Sequence, residues 1–83
     1  MRFILTERAK KDWDKLDNKI QDQLRKKLRF YFENDPMNYV EKLKDNTLGE
    51  YRFRVGDYRV ICDKIKDEII ALRIGHRKDI YKD

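Results

Sequence analysis

Tyr51-Arg52-Phe53-Arg54-Val55-Gly56-Asp57-Tyr58-Arg59-Val60 is the stretch that decides the fold of this chain. Apolar and basic residues alternate through Tyr51–Val55, which is the period of a half-buried strand. Gly56-Asp57 is a turn pair of the length that closes a two-residue hairpin. Tyr58–Asp63 then reads as the returning strand. Strand side chains point alternately to opposite faces, so Tyr51, Phe53 and Val55 share one face. Arg52 and Arg54 share the other, roughly 6.5–7 Å apart. Across the turn, Arg59 can join the face of Arg52 and Arg54. One face of the sheet is therefore apolar and needs cover, and the opposite face is basic.

Toward the C-terminus, Lys64–Glu68 reads as a polar connection and Ile69–Ile74 as a third strand. The third strand is nearly continuous in apolar residues, which places it centrally in the sheet. Gly75-His76-Arg77 is read as its break, and the tail closes on Ile80-Tyr81. Toward the N-terminus, Met1–Leu5 is a short apolar strand and Thr6 a helix N-cap. Ala9, Trp13, Leu16, Ile20, Leu24, Leu28 and Tyr31 recur every three or four residues, one apolar stripe on helix. Asp17-Asn18 interrupts it, so two helices are expected, at about 7–15 and 18–33. Asn34-Asp35-Pro36 ends the second. Residues 37–48 read as a linker with one helical turn near Tyr39–Leu43. The expected fold is α+β. An N-terminal strand and a two-helix hairpin precede a three-stranded antiparallel meander (β-α-α-β-β-β), with the helices packed on one sheet face.

An 83-residue chain is one domain, residues 1–83. Forty per cent hydrophobic and 12% aromatic residues supply one small core, while 45% charged residues leave the remainder strongly solvated. The longest apolar run falls far short of the roughly 20 residues of a membrane span. Met1–Thr6 runs straight into Glu7 and Arg8, unlike a secretory leader. One cysteine cannot form an internal disulfide, so the cytoplasm is the expected compartment. The net charge of +5 favours an anionic partner.

Arginine in the second half is concentrated at Arg52, Arg54, Arg59, Arg73 and Arg77. Its planar fork suits paired contacts to phosphate, which lysine does not offer. Taken singly, each of these is as readily a solvated or locally paired surface residue. Taken together on one face, with Asp57, Asp63 and Asp79 only at the edges, they favour an external polyanion. His76 is the one histidine; it reads either as a hydrogen-bonded strand-end residue or as a proton donor or acceptor. Cys62 has the parity of Tyr58 and Val60 and reads as a small buried group. One histidine and one cysteine cannot build a zinc site. Trp13 belongs to the helix stripe. Tyr81 can pack, or can stack on a base.

The pattern Y-R-x-R-x-G-x-Y-R at 51–59, followed by Gly75-His76-Arg77 and then Tyr81, resembles the RelE/ParE toxin superfamily, and the resemblance spans nearly the whole chain. It implies the toxin of a type II toxin–antitoxin system, on a sheet backed by two N-terminal helices. RelE-like members cleave messenger RNA in the ribosomal A site; ParE-like members poison DNA gyrase on the same fold. The resemblance assigns RNA-backbone contacts to Arg52 and Arg54, transition-state stabilisation to Arg59 and Arg77, and nucleotide stacking to Tyr81. RelE-type lysines stand where this chain has Arg52 and Arg54. Arginine does not release its proton in proteins, so proton transfer cannot pass to Arg54. His76 is the first candidate for that role, then Tyr81.

The resemblance further implies a RelB-like antitoxin, with operator DNA bound only through the antitoxin complex, and no membrane partner. The expected activity is a metal-independent endoribonuclease with no cofactor, in which the RNA 2′-OH attacks its own phosphate and translation stops. The competing expectations are a gyrase inhibitor without nuclease activity and a non-toxic nucleic-acid-binding module.

Overall fold

The computed structural model describes residues 1–45 and 47–81. The elements run β1 (Arg2–Leu5), α1 (Glu7–Asp14), α2 (Asn18–Glu33), a 3₁₀ turn (Pro36–Asn38), β2 (Val40–Lys42), β3 (Tyr51–Val55), β4 (Tyr58–Ile65) and β5 (Glu68–His76). The sheet order is β1-β5-β4-β3-β2. β1 lies parallel to β5, and all other neighbours are antiparallel.

Local chemistry sets the helix ends. The Thr6 hydroxyl accepts the Ala9 N–H at 3.1 Å, and the Asp17 carboxylate accepts the Ile20 N–H at 2.9 Å. Each satisfies one of the free donors that open a helix. The Asn34 amide donates to the Phe30 carbonyl at 2.9 Å as α2 ends, and Pro36 opens the 3₁₀ turn two residues later. The stripe of the two helices lies over the sheet as expected. Ala9, Leu24 and Leu28 pack with Phe53, Val55, Val60, Cys62, Ile69, Ala71 and Ile74 in one core.

Two expectations are corrected, and one further feature has no counterpart in the sequence reading. Residues 37–48 are not a plain linker with a helical turn at Tyr39–Leu43. The turn comes earlier, at Pro36–Asn38, and Val40–Lys42 is a fourth antiparallel strand, with Glu41 opposite Arg52. The meander thus has four strands, and β5 is central because β1 covers its other edge. Nor does Gly75-His76 break β5, which pairs Gly75 with Arg59 and His76 with Tyr58. Finally, a bulge at Ile61/Cys62 leaves Leu72 unpaired and shifts the phase of β5: Ala71 lies opposite Cys62 but Arg73 opposite Ile61.

Candidate nucleic-acid interface

The β3–β4 hairpin places the basic residues. Val55 pairs with Tyr58 across Gly56-Asp57, and Gly56 sits at φ +57°, the left-handed region that glycine enters at no steric cost. That turn length fixes the register, and Arg54 comes to lie directly opposite Arg59. Phe53 and Val55 are buried against the helices, so Arg52, Arg54 and Arg59 project from the other face.

The side chains there form one connected group. Arg59 is only 6% exposed. Its Nη1 donates to the carbonyls of Gly56 at 2.8 Å and Tyr58 at 2.9 Å. Arg52 donates through Nε to Glu41 Oε1 at 3.2 Å and through Nη1 to the Tyr81 hydroxyl at 2.8 Å. Arg54 Nε lies 3.8 Å from the same Glu41 oxygen. Arg77 closes the far end, its Nε 3.3 Å from Asp57 Oδ1 and its backbone N–H donating to the Asp57 carbonyl. Four guanidiniums thus stand against two carboxylates, and the site keeps a positive excess.

The electrostatics follow from this crowding. Burial, then the like charges of Arg54 and Arg52, push the Arg59 pKa below its ordinary value. The hydrogen bond to Tyr81, together with Glu41, raises that of Arg52. The hydrogen bond from Arg52, with the charges of Arg54 and Arg59, holds the Glu41 carboxyl below the usual carboxylate range. Both arginines stay charged at any physiological pH, so the face is a fixed array of donors. The Arg54 guanidinium, more than half exposed, donates no hydrogen bond among the described residues. Its donors are open to a phosphate.

Two sequence candidates lie elsewhere. Arg73 Nε donates to Asp12 Oδ2 at 2.9 Å, and the same oxygen accepts the Ile74 N–H at 2.9 Å. Arg73 has the parity of the basic face, opposite Ile61, but its guanidinium is held by Asp12, so it anchors α1 to the end of β5 and does not join the other arginines. His76 pairs with Tyr58, whose other partner is the buried Val55, so its side chain has the helix-side parity. Its ring meets Tyr58 edge-on at 5.3 Å, and its Nδ1 accepts the Lys78 N–H at 3.1 Å. The sheet brings Arg52, Arg54, Arg59, Arg77 and Tyr81 together but leaves His76 on the opposite side. Sequence reasoning missed Glu41. A three-residue strand is too short to show a period, and Tyr39-Val40 before it was the one β-prone signal.

The sequence model of the ParE toxin of type II toxin–antitoxin systems (parDE) matches residues 3–81. Among curated proteins, none matches the sequence significantly. The fold is similar to that of the RelBE2 toxin–antitoxin complex from Mycobacterium tuberculosis, with TM-score 0.73 and 23% identity over 92% of this chain and 96% of that one. It is similar to the isolated E. coli RelE toxin, with TM-score 0.70 and 25% identity over 90% of this chain and 82% of that one. It is similar also to the RelB–RelE antitoxin–toxin complex from Methanococcus jannaschii, with TM-score 0.66 and 26% identity over 94% of both chains. With the family match running from the first strand to Tyr81, the chain belongs to the RelE/ParE superfamily of type II toxin–antitoxin toxins.

Proposed function

We propose that this toxin is an endoribonuclease that cleaves messenger RNA in the ribosomal A site. One observation carries the reading: the Glu41 carboxylate is seated between Arg52 and Arg54, with Arg59 and Arg77 beyond them and a tyrosine hydroxyl tied to Arg52. Cleavage by internal attack needs such a set. The 2′ oxygen attacks the phosphorus, the bond to the 5′ oxygen breaks, and a 2′,3′-cyclic phosphate and a 5′-OH result. The phosphorane gains negative charge on the way. Preplaced donors on Arg52, Arg54, Arg59 and Arg77 stabilise that charge, each worth roughly 10²–10³ in rate. Glu41 takes the 2′-OH proton, being ionised at neutral pH and held between Arg52 and Arg54. It displaces His76 as the first candidate base. The proton for the leaving 5′ oxygen comes from water in the A site. The ribosome aligns attacking and leaving groups that an 83-residue surface cannot orient alone.

The reading implies a RelB-like antitoxin as partner, in keeping with the antitoxin-bound state of two of the similar structures. Operator DNA would be reached only through that complex, and the cytoplasm is where ribosome and antitoxin are met. No helix among the described residues is long and apolar enough to cross a membrane.

The test is incubation of the purified toxin with programmed ribosomes and mapping of new 5′ ends. Wild type cuts within the A-site codon, and Arg59→Ala with Arg77→Ala does not; intact message in every codon context would sink the reading. The match to the ParE sequence model favours a second one, inhibition of DNA gyrase without nuclease activity. In that case message stays intact, supercoiling by purified gyrase falls, and Glu41→Gln changes neither.

A further inference from the structure

We propose that the recess between Tyr81 and the β2–β3 loop is a nucleobase pocket, in which the Asp45 carboxylate selects guanine. The inference rests on the RNA-cleaving reading and names the base specificity that reading leaves open.

The recess holds about 590 Å³ and is lined by Leu43, Lys44, Asp45, Thr47, Leu48 and Tyr81. Leucine side chains and a tyrosine ring give a base apolar surface and a π-face to stack on. The recess adjoins the guanidinium group, because the Tyr81 hydroxyl accepts the Arg52 Nη1 hydrogen bond. A nucleotide whose phosphate sits on Arg52 and Arg54 therefore has its base beside this opening.

The wall is anchored to the sheet at both ends. The Leu43 N–H donates to the Glu50 carbonyl at 2.9 Å, and the Glu50 N–H donates to Asp63 Oδ1 at 2.9 Å. Between them Gly49 lies flat on β4 and β5. A Cβ there would stand 2.8 Å from Ile61 Cγ2 and 3.0 Å from Leu72 Cδ1, so any other residue would force the segment or these side chains to shift.

The polar edge of the recess is specific in sign. Asp45 Oδ1 already accepts both the N–H and the hydroxyl of Thr47. Oδ2 has no hydrogen-bond partner among the described residues. The hydroxyl and N–H of Thr47 also hold the carboxyl below its ordinary pKa, so it is an acceptor only. Guanine offers two adjacent donors on its Watson–Crick edge, N1–H and N2–H₂. Adenine and cytosine each offer one amino group beside a ring acceptor. Uracil offers one N–H between two carbonyl oxygens, which a carboxylate repels. Lys44, in the same lining, matches the guanine O6 and N7 acceptors.

Asp45→Asn is the informative variant. It keeps Oδ1 as acceptor for Thr47 and replaces Oδ2 with an NH₂ donor, so the loop turn survives and the hydrogen-bond sign reverses. Wild type and variant are titrated with GMP and with UMP, following the backbone amides of Lys44, Asp45, Thr47 and Tyr81 by NMR. Both proteins are also given ribosomes programmed with codons that differ at one base. Wild type should bind GMP about tenfold tighter than UMP and cleave guanine-containing codons preferentially, and Asp45→Asn should lose or reverse both preferences. Equal GMP and UMP affinity in wild type, or an unchanged preference in Asp45→Asn, would overturn the pocket. Guanine-selective shifts without cleavage of any codon would support the pocket and overturn the nuclease reading. Cleavage without base preference would do the reverse.

Discussion

Replacing Asp12 with alanine tests the claim that Arg73 belongs to the scaffold rather than to the basic face. Asp12 is only 9% exposed, and its Oδ2 accepts from both Arg73 Nε and the Ile74 N–H at 2.9 Å. Ile74 lies beyond Ala71, the last residue of β5 that β1 pairs, so α1 supplies the acceptor that the neighbouring strand does not. Truncation orphans that N–H, at a cost of roughly 1–3 kcal/mol. Arg73 loses its partner too, but its side chain is about a quarter exposed and can turn to water, so its share is about 1 kcal/mol. The expected loss is therefore about 2–4 kcal/mol, or a fall of roughly 10–25 °C in Tm for a domain of this size. Asp12→Asn keeps an acceptor for the Ile74 N–H and should lose about half as much. Chemical and thermal denaturation of wild type, Asp12→Asn and Asp12→Ala check the ranking. A double-mutant cycle with Arg73→Ala should show about 1 kcal/mol of coupling. Asp12→Ala within 0.5 kcal/mol of wild type would refute the reasoning. So would an Arg73→Ala protein that stays fully folded but no longer binds RNA.

Glu41→Gln should lower ribosome-dependent cleavage by about 10²–10⁴ with Tm unchanged, whereas His76→Ala should keep most activity. Because its neighbours hold Glu41 below its ordinary value of 4.5, wild-type cleavage should persist as pH falls to that value and fail only below it; a pH–rate profile of wild type reads this directly. Cys62 is buried and its thiol is pushed up to about 12, so a disulfide reagent should label it only as fast as the native protein opens, and at once in denaturant. Lys66 holds φ +54° in the β4–β5 turn, so Lys66→Gly should raise stability by about 0.5–1 kcal/mol in denaturant titrations.

What could be read from the chain depended on the range over which each residue's neighbours lie. Arg52, Arg54 and Arg59 were legible because a two-residue turn fixes which residues face each other, and that turn is written in Gly56-Asp57. The helical stripe was legible because seven positions repeat it. Glu41 was not, since three residues carry no period, and its partner lies across a loop of unspecified geometry. Arg73 was misassigned because its partner, Asp12, stands 61 residues away; its parity is that of the basic face, and only the ion pair draws it off. Which face His76 takes was hidden because Gly75 reads as a break. Here the strand runs through it, and parity carries the imidazole to the helix side.

The bulge at Leu72 has a consequence for how this strand can change over time. Before it, odd-numbered residues of β5 face the helices; after it, even-numbered ones do. β5 is therefore written in two spatial reading frames joined at a single residue. Point substitutions on either side stay local. Drawing Leu72 into the ladder, with no residue lost, would turn Ile74 outward and Arg73 into the core, whereas deleting Leu72 would remove the bulge and leave both on their present faces. Insertions and deletions elsewhere in β5 shift one frame against the other and are barred even where substitutions are free; the tolerated ones fall in the turns or at Leu72 itself.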